Sequence, residues 1–264
     1  MPEVPLPLLS VITACRNDAI RLRRTLQSLQ AFYEDLRFEH VVVDGNSIDG
    51  TDILIAPMLS KPNFRFVKGK DSGIYDAMNR GTSVSKGEWI LFLNCGDALT
   101  VGPNFLFDEL SVLSTQYSDH VDIACYSVQQ VGEKGGKKVL LSEDLPKHRM
   151  PTSHQGMVFS RLFALRNPYH AAYKIAGDFD IYLRAEPHRV IVRQGMDPWA
   201  SVEVDGFAST HPRIAYYEYL QIARDRLKGG VLVRAWLRIA LRASAVIVLK
   251  AAVSRRWISW LRGV

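Results

Sequence analysis

The first half of the chain alternates short apolar runs with amphipathic segments, and this alternation constrains the fold more than any other feature. The apolar runs have the length of buried strands, and the segments between them carry apolar residues at helical spacing. Such an order is typical of a parallel sheet with crossover helices, so the sequence predicts an α/β fold. The predicted strands are 8–14, 40–43, 64–67, 88–93, 121–128 and 189–193, and the predicted helices are 19–32, 74–84, one starting at Pro103 and one opening within 173–180.

Three of these strands are followed by loops that contain Asp44, Asp71 and Asp97. In open α/β sheets, ligands bind where parallel strands end, so we expect the three carboxylates to lie at one edge. The acidic loops also have simpler explanations, since Asp44 and Asp49 can hold a turn and Asp97 can cap the next helix. Thr51 can cap the helix that follows the first loop. Together the three carboxylates would repel one another unless a hard cation such as Mg²⁺ or Mn²⁺, with a diphosphate, lay between them.

Charge is distributed unevenly along the chain. The 33 Lys and Arg exceed the 27 Asp and Glu, giving a net charge of +6, but nine of the basic residues and no acidic residue lie between 226 and 264. The first 225 residues therefore carry a net charge of −3. A nucleic-acid-binding domain would carry its basic surface on the folded body, so this distribution argues against nucleic acid as a partner.

The cysteines and the N-terminal residues indicate in which cellular compartment the protein is expected. Cys15, Cys95 and Cys125 are widely spaced and form no CxxC pair, which favours reduced thiols. We interpret Cys95 as a packed residue because no histidine lies near it in sequence. The first residues carry an acid and three prolines, which is not the pattern of a secretory signal. The sequence thus predicts a cytoplasmic protein.

The basic C-terminal segment has helical spacing. Arg234, Arg238 and Arg242 recur every four residues, and no apolar stretch is long enough to cross a bilayer. We expect a domain over 1–212 and, over 213–264, a basic amphipathic tail that lies on an anionic membrane surface with Trp236, Trp257 and Trp260 at headgroup level. Two alternatives for this segment are a helix that packs on the domain and a helix that forms the contact between subunits of a homo-oligomer.

Four ordered segments resemble the inverting glycosyltransferases of family 2, which share the GT-A fold. These segments are 10–17 (SVITACRN), 43–51 (VDGNSIDGT), 71–81 (DSGIYDAMNRG) and 93–97 (LNCGD). The resemblance runs from Leu8 to about Arg184, and the last two segments look like the branch found in bacterial exopolysaccharide clusters of the colanic-acid type. It implies a Rossmann-like, mostly parallel sheet flanked by helices, followed here by the amphipathic tail.

The resemblance also implies a site for a nucleotide sugar and a metal. The chain departs from the family pattern at Gly45, which replaces the second acid of the first loop and leaves Asp44 as the remaining acceptor. In the usual D-x-D metal motif, Asn94 and Gly96 stand where acids would fall, so Asp97 remains as the anionic ligand for Mg²⁺ or Mn²⁺, with His211 as a further candidate. The implied nucleotide-binding residues are Thr13, Ala14, Arg16, Asp44, Asn46, Ser47, Asp71, Asn79 and Asn94.

Inverting transfer requires a base that deprotonates the acceptor hydroxyl. Asp178 falls where the family's E-D motif places this base, with Gly177 in place of the Glu, and a helix N-terminus favours its ionised form. The alternative is that Asp178 caps the helix or that Asp180 is a solvated residue. His154, Gln155 and Asp180 are the candidate residues of the acceptor side, although His154 could equally be a hydrogen-bonded structural residue.

The expected activity is therefore metal-assisted transfer from a UDP- or GDP-sugar to a lipid-linked saccharide in exopolysaccharide or cell-surface glycan synthesis, by an enzyme peripheral to the inner face of the membrane. Two other functions stay open. A nucleotidyltransferase would normally carry a Gly-rich, basic loop after the first strand, and residues 15–18 are not such a loop. A non-catalytic, nucleotide-binding membrane scaffold of the same fold is favoured by the loss of two acids from the metal motif.

Overall fold

The computed structural model describes residues 6–117, 120–132, 137–142, 144–203 and 210–261. A seven-stranded sheet forms the centre, and a four-stranded sheet lies beside it. The strands are β1 Leu9–Cys15, β2 Phe38–Asp44, β3 Phe64–Lys68, β4 Trp89–Phe92, β5 Ala98–Leu99, β6 Ile123–Cys125, β7 Val128–Val131, β8 Lys137–Leu140, β9 Met157–Ser160, β10 Val190–Val192 and β11 Ala200–Glu203.

Helices cover both faces of the large sheet. The α-helices are α1 Ala19–Ser28, α2 Thr51–Ile55, α3 Ile74–Val84, α4 Pro103–Val112, α5 Arg161–Arg166, α6 Gly177–Arg184, α7 Pro212–Arg226 and α8 Gly229–Leu261. Short 3₁₀ turns cover Gln30–Glu34, Ala56–Ser60, His154–Gly156 and Pro187–Arg189, and a π turn, Leu113–Tyr117, follows α4.

The order of strands in the large sheet determines where polar side chains meet. The order is β10-β6-β9-β4-β1-β2-β3, in which β4, β1, β2 and β3 are parallel. Strand β9 runs antiparallel between β4 and β6, so the residues before β9 lie at the same edge as the residues after β4. This one reversed strand brings His154 and Gln155 to the edge that the sequence predicts for the site.

The inner parallel strands β1, β2 and β4 are buried on both faces. All seven residues of β2 are buried, and Leu22 of α1 and Met78 of α3 are buried in the two clusters on opposite faces of the sheet. Two-sided burial explains why these strands appear in the sequence as continuous apolar runs rather than alternating ones. The predicted mixed α/β fold with a mostly parallel sheet is confirmed.

The predicted strand 121–128 is wrong as a single element. Its first part, β6, pairs with β9 and β10 in the large sheet, whereas β7 pairs with β11 and β8 in the small sheet. The apolar run is continuous because both parts are buried, although the chain changes sheets between them. Strands β7 and β8 are antiparallel, and residues 133–136 between them lie outside the described residues.

Helix boundaries differ from the predictions in two places. Thr51 does not cap α2, because Gly50, with φ 90°, occupies the cap position and the Thr51 hydroxyl instead donates to Asp49 Oδ1 (2.6 Å). The predicted helix 19–32 ends at Ser28, and a 3₁₀ turn follows it.

The two C-terminal helices contact each other, and α7 also contacts α6. Ile222 of α7 is completely buried and belongs to the core cluster beside the large sheet. In α8, Ala235, Ile239 and Ala243 are buried, and their four-residue spacing gives one packed face. A search of the described helices found no stretch long and apolar enough to span a membrane.

The packing of α7 predicts a large loss of stability for Ile222→Ala. Truncating a fully buried isoleucine should lower the free energy of unfolding by about 2–5 kcal/mol. Tyr217→Ala, on the exposed side of the same helix, should change it by less than about 0.5 kcal/mol. Urea unfolding measures both. Equal, small losses would mean that α7 is not part of the folded domain.

Candidate functional site

The loop after β2 is stabilised by its own first residue. Asp44 is completely buried, and its carboxylate accepts hydrogen bonds from the backbone N–H (3.0 Å) and the hydroxyl of Ser47. Ser47 in turn accepts a bond from the backbone N–H of Asn17 (2.8 Å), which joins this loop to the end of β1. Asp44 and Ser47 therefore shape the loop, and Asn46, exposed with φ 61°, projects from it.

Asp71 occupies the space that a side chain at position 45 would need. A Cβ atom placed on Gly45 would overlap the Asp71 carboxylate oxygen Oδ2 and lie 3.1 Å from Cδ of Arg16. The missing acid at position 45 is thus replaced in space by the carboxylate of Asp71. Both oxygens of Asp44 are bonded to Ser47, and Asp71 is the half-buried carboxylate at this point. That Asp44 accepts from the nucleotide stays a prediction.

A row of three side chains connects the end of β4 to the start of α6. His154 Nδ1 lies 3.1 Å from Asp178 Oδ2, and the Asn94 amide group lies 3.0 Å from His154 Nε2. The side chains of His154 and Asp178 are 15% and 16% exposed, so the pair is largely shielded from water but reachable.

The surroundings of His154 favour its protonated form. Burial opposes protonation, but the charges of Asp178 and Asp97 and the hydrogen bond to Asp178 outweigh it, so the pKa of His154 is raised above its ordinary value.

One oxygen of Asp178 has no partner. Its Oδ1 atom is buried and has no partner at hydrogen-bonding geometry among the described residues. The Tyr169 hydroxyl, which has no such partner either, lies close enough to this carboxylate for the contact to help raise the Tyr169 pKa. The N-cap of α6 is Ala176, and no side chain caps the helix, so the alternative in which Asp178 caps α6 is wrong. A buried carboxylate oxygen without a donor is unusual in a folded protein and is suited to accepting a proton from a bound hydroxyl.

Gly177 is explained by Tyr75, which sequence reasoning missed. A Cβ atom on Gly177 would lie 2.7 Å from the Tyr75 ring, so the larger residue of the family motif does not fit here. The Tyr75 hydroxyl donates to the carbonyl of Ile175 (2.6 Å) and accepts from the Gly177 N–H (3.0 Å), which fixes the start of α6. Tyr169 stacks on Tyr75, and burial together with the charge of Asp178 raises the Tyr169 pKa.

Glu218 of α7 is a second residue that the sequence did not indicate. Its buried carboxylate accepts three backbone hydrogen bonds, from Lys174 (2.9 Å), Ile175 (3.0 Å) and Ala176 (2.9 Å), directly before α6. Only the folded chain brings residue 218 to this loop, and no local motif precedes or follows it. Through Glu218, α7 determines the position of Asp178.

Asp97 lies beside this row. It is buried, and its Oδ2 accepts a bond from the Gln155 amide (2.6 Å). Burial raises the pKa of Asp97, and the Gln155 bond and His154 partly offset the effect. Asp97 does not cap α4, whose N-cap is Gly102.

Few side chains are placed to hold the predicted Mg²⁺ or Mn²⁺ ion. No three His, Cys, Asp or Glu side chains of the described residues converge as a metal site. Two hard oxygens are nevertheless suited to a divalent cation: the desolvated carboxylate of Asp97 and the buried Asn94 Oδ1, which has no partner in the described part of the chain. His211 lies at the N-cap of α7, and residues 204–209 before it lie outside the described residues.

Three predicted site residues have other partners. The Thr13 hydroxyl contacts buried His40 (3.0 Å). The Asn79 amide exchanges two hydrogen bonds with the Tyr169 backbone (both 2.8 Å). Asp180 is completely buried and forms ion pairs with Arg184 (2.9 Å) and Arg226 (2.7 Å). These side chains are therefore structural, and the alternative of a solvated Asp180 is wrong. Ala14 is half-buried at the end of β1, where Cys95 donates to its carbonyl (3.4 Å).

Comparison with known proteins decides the family. The model described as "Glycosyl transferase family 2" matches residues 10–174. The chain belongs to glycosyl transferase family 2. A PGL/p-HBAD biosynthesis glycosyltransferase of Mycobacterium tuberculosis is 30% identical over 97% of this chain and 98% of its own length. An uncharacterized glycosyltransferase of the same species is 36% identical over 41% of this chain.

Solved structures of similar fold carry nucleotide sugars. S. aureus TarS 1–349 in complex with UDP-GlcNAc has a TM-score of 0.66 at 17% identity, covering 88% of this chain and 71% of TarS 1–349. A mannosyltransferase from Pyrobaculum calidifontis in complex with GDP-Man and Mn²⁺ has a TM-score of 0.57 at 16% identity, covering 94% and 76% of the two chains. The predicted family, GT-A fold and transferase activity are confirmed.

The His154–Asp178 contact predicts a pKa change that NMR can measure. The imidazole of His154 should titrate above the ordinary histidine value of about 6.5. Asp178→Asn removes the neighbouring charge, so burial should then dominate and lower the pKa of His154. Asp52→Asn, which removes a surface carboxylate paired with Lys68, is the control and should leave it unchanged. An unchanged pKa in Asp178→Asn would contradict the contact.

Proposed function

We propose that this enzyme transfers a sugar, with inversion, from a nucleoside-diphosphate sugar to an acceptor hydroxyl, with Asp178 as the general base. The observation that carries the proposal is the arrangement of the Asp178 carboxylate: Oδ2 is bonded to His154, while Oδ1 is buried without a partner among the described residues. The bonded oxygen orients the carboxylate, and the other remains available for the acceptor.

The reaction then proceeds as follows. The acceptor oxygen attacks the anomeric carbon from the face opposite the diphosphate, the bond from that carbon to the diphosphate oxygen breaks, and the hydroxyl proton moves to Asp178 Oδ1. The nucleoside diphosphate leaves with the bonding electron pair. His154 and Glu218 are positioning residues, since one orients the carboxylate and the other holds the start of its helix.

For the donor, we propose that the nucleoside lies across the ends of β1, β2 and β3. Arg16, Asn46 and Asp71 offer exposed or half-buried polar groups there, around a loop shaped by Asp44 and Ser47. Asp71 takes the acceptor role that an acid at position 45 would have. A UDP- or a GDP-sugar suits this edge, because solved relatives of the fold hold one or the other.

We further propose that Asp97, helped by Asn94 Oδ1, holds Mg²⁺ or Mn²⁺ together with the diphosphate. A cation there would offset the charge of the leaving group. Because only one carboxylate contributes, the affinity for the metal should be low until the nucleotide adds its phosphate oxygens.

The acceptor we propose is a lipid-linked saccharide in exopolysaccharide or cell-surface glycan synthesis, at the inner face of the membrane. The support is α8, in which Trp236, Leu237 and Leu241 form an exposed apolar face beside the arginine stripe. Such a face next to basic residues suits the interface of an anionic bilayer. Since α7 packs into the domain, we propose that the membrane-binding tail begins at Gly229 instead of residue 213.

Asp178→Asn tests the base. This variant should lose transfer by at least about a hundredfold, because general bases contribute roughly that much, while nucleotide affinity stays the same. Sugar transfer and calorimetric UDP or GDP binding provide the two measurements. Asp225→Asn, at an exposed carboxylate of α7, is the matched control. Transfer at the wild-type rate by Asp178→Asn would overturn the assignment, and no transfer or donor hydrolysis by the wild type would favour the non-catalytic scaffold.

Moving the carboxylate from position 71 to position 45 tests the proposed donor loop. Gly45→Asp restores the family's acid but should weaken nucleotide binding about tenfold or more, because its Cβ overlaps the Asp71 carboxylate and adds a like charge. Gly45→Asp combined with Asp71→Gly should recover part of the affinity. If Gly45→Asp alone binds nucleotide more tightly, Asp71 does not replace the missing acid.

A further inference from the structure

A cavity of about 730 Å³ opens directly beside the candidate base. Asp178 and His154 line one part of it, and α8 lines another through Ile239, Arg242 and Val246. The C-terminal helix, which the sequence predicts to be a separate tail, therefore forms a wall of the space that adjoins the reacting groups.

The cavity combines an apolar wall with cationic side chains. Its apolar lining comes from three parts of the chain, and Arg149 lines it together with Arg242. This apolar lining includes Leu140, Leu141, Met150, Tyr219, Ile239 and Val246. A purely saccharide acceptor has no need of such a wall, whereas a molecule with an apolar chain does.

The cationic side chains are not neutralised by carboxylates. None of Arg149, Arg238 and Arg242 forms a salt bridge with a carboxylate of the described residues, whereas Arg226 is paired with Asp180. Arg149 donates to the hydroxyl of Ser142 (2.9 Å). Burial and the charges of Arg238, Arg149 and Arg242 lower the pKa of His148, against an opposing effect of Asp144, which indicates an excess of positive charge at this end of the cavity.

We propose that this cavity is the acceptor site, and that it takes an amphiphile whose phosphate or diphosphate group binds Arg149 and Arg242 while its apolar chain lies along α8. The proposal rests on the proposed function, since it places the sugar hydroxyl of the acceptor at Asp178. A multiply charged anion complements two unpaired guanidinium groups, which bind phosphate oxygens through two parallel hydrogen bonds each.

The placement of α8 supports entry from a membrane surface. The same helix exposes Leu237 and Leu241 on one face and lines the cavity with Ile239 and Val246 on another. An amphiphile held in a bilayer could thus pass around one helix to reach the base.

Calorimetry on the full chain without nucleotide tests the site with three probes: farnesyl diphosphate below its micelle concentration, farnesol, and inorganic diphosphate. Farnesyl diphosphate should bind at least about tenfold more tightly than either of the other two, because each of them lacks half of the recognised chemistry. Equal binding of inorganic diphosphate would overturn the apolar part of the proposal, and equal binding of farnesol would overturn the ionic part.

Two matched variants distinguish the site from general attraction by the basic helix. Arg242→Gln should weaken farnesyl diphosphate binding about tenfold, and so should Arg149→Gln. Arg234→Gln removes the same charge from the same helix, and both arginines are exposed. Arg234, however, bonds to its own helix at the Gly230 carbonyl and does not line the cavity, so its replacement should have no effect. Equal effects of Arg242→Gln and Arg234→Gln would overturn the proposal.

Vesicles of phosphatidylcholine and phosphatidylglycerol separate a lipid surface from the acceptor site. If these vesicles, but not farnesyl diphosphate, bind in an Arg242-dependent way, the arginine serves membrane attachment and the cavity proposal fails. UDP and GDP binding is measured in parallel. Nucleotide binding without farnesyl diphosphate binding defeats only the cavity proposal, whereas a folded chain that binds neither nucleotide contradicts the proposed function itself.

Discussion

The cost of burying carboxylates governs the whole site. A carboxylate removed from water must be compensated by hydrogen bonds or by opposite charge. Each buried acid here has a different compensation: Ser47 for Asp44, Gln155 for Asp97, His154 for Asp178, and two arginines for Asp180. At Asp178 one buried oxygen is left without a hydrogen bond in the described chain and a cavity adjoins the carboxylate, and on our proposal this separates the reactive carboxylate from the structural ones.

The same carboxylates tie the C-terminal helices to the chemistry. Glu218 binds the backbone before α6, Arg226 neutralises Asp180 within α6, and Ile239 of α8 lines the cavity beside Asp178. The helix that carries Asp178, the base in our proposal, is therefore held from its start and its middle by α7. On our proposals, the basic tail has two roles, since its exposed apolar face meets the membrane and its inner face meets the acceptor.

Much of the fold could be predicted from the sequence because strands buried on two faces require long apolar runs, and amphipathic helices require apolar residues at helical spacing. The errors come from features that lack a local signal. The change of sheets after β6 leaves no gap in the apolar run, and Thr51 follows a glycine that takes the cap position itself. In the site, Asp97 and Asp178 stand out by motif, whereas Glu218 lies in none of the quoted motifs. Tyr75 does lie in the 71–81 segment, but nothing in that segment indicates its contact with Gly177, 102 residues later in the chain.

By itself, the sequence determined the family, the α/β architecture and the acids offered at the strand ends, because these follow from periodicity and from short ordered motifs. Tertiary structure alone decided which of those acids are structural and which is free, since this depends on what each meets across the fold. It also gave the reason for two departures from the family pattern: Asp71 fills the space at Gly45, and the Tyr75 ring fills the space at Gly177. Contacts between segments tens of residues apart in the chain arise only once the sheet has brought them together.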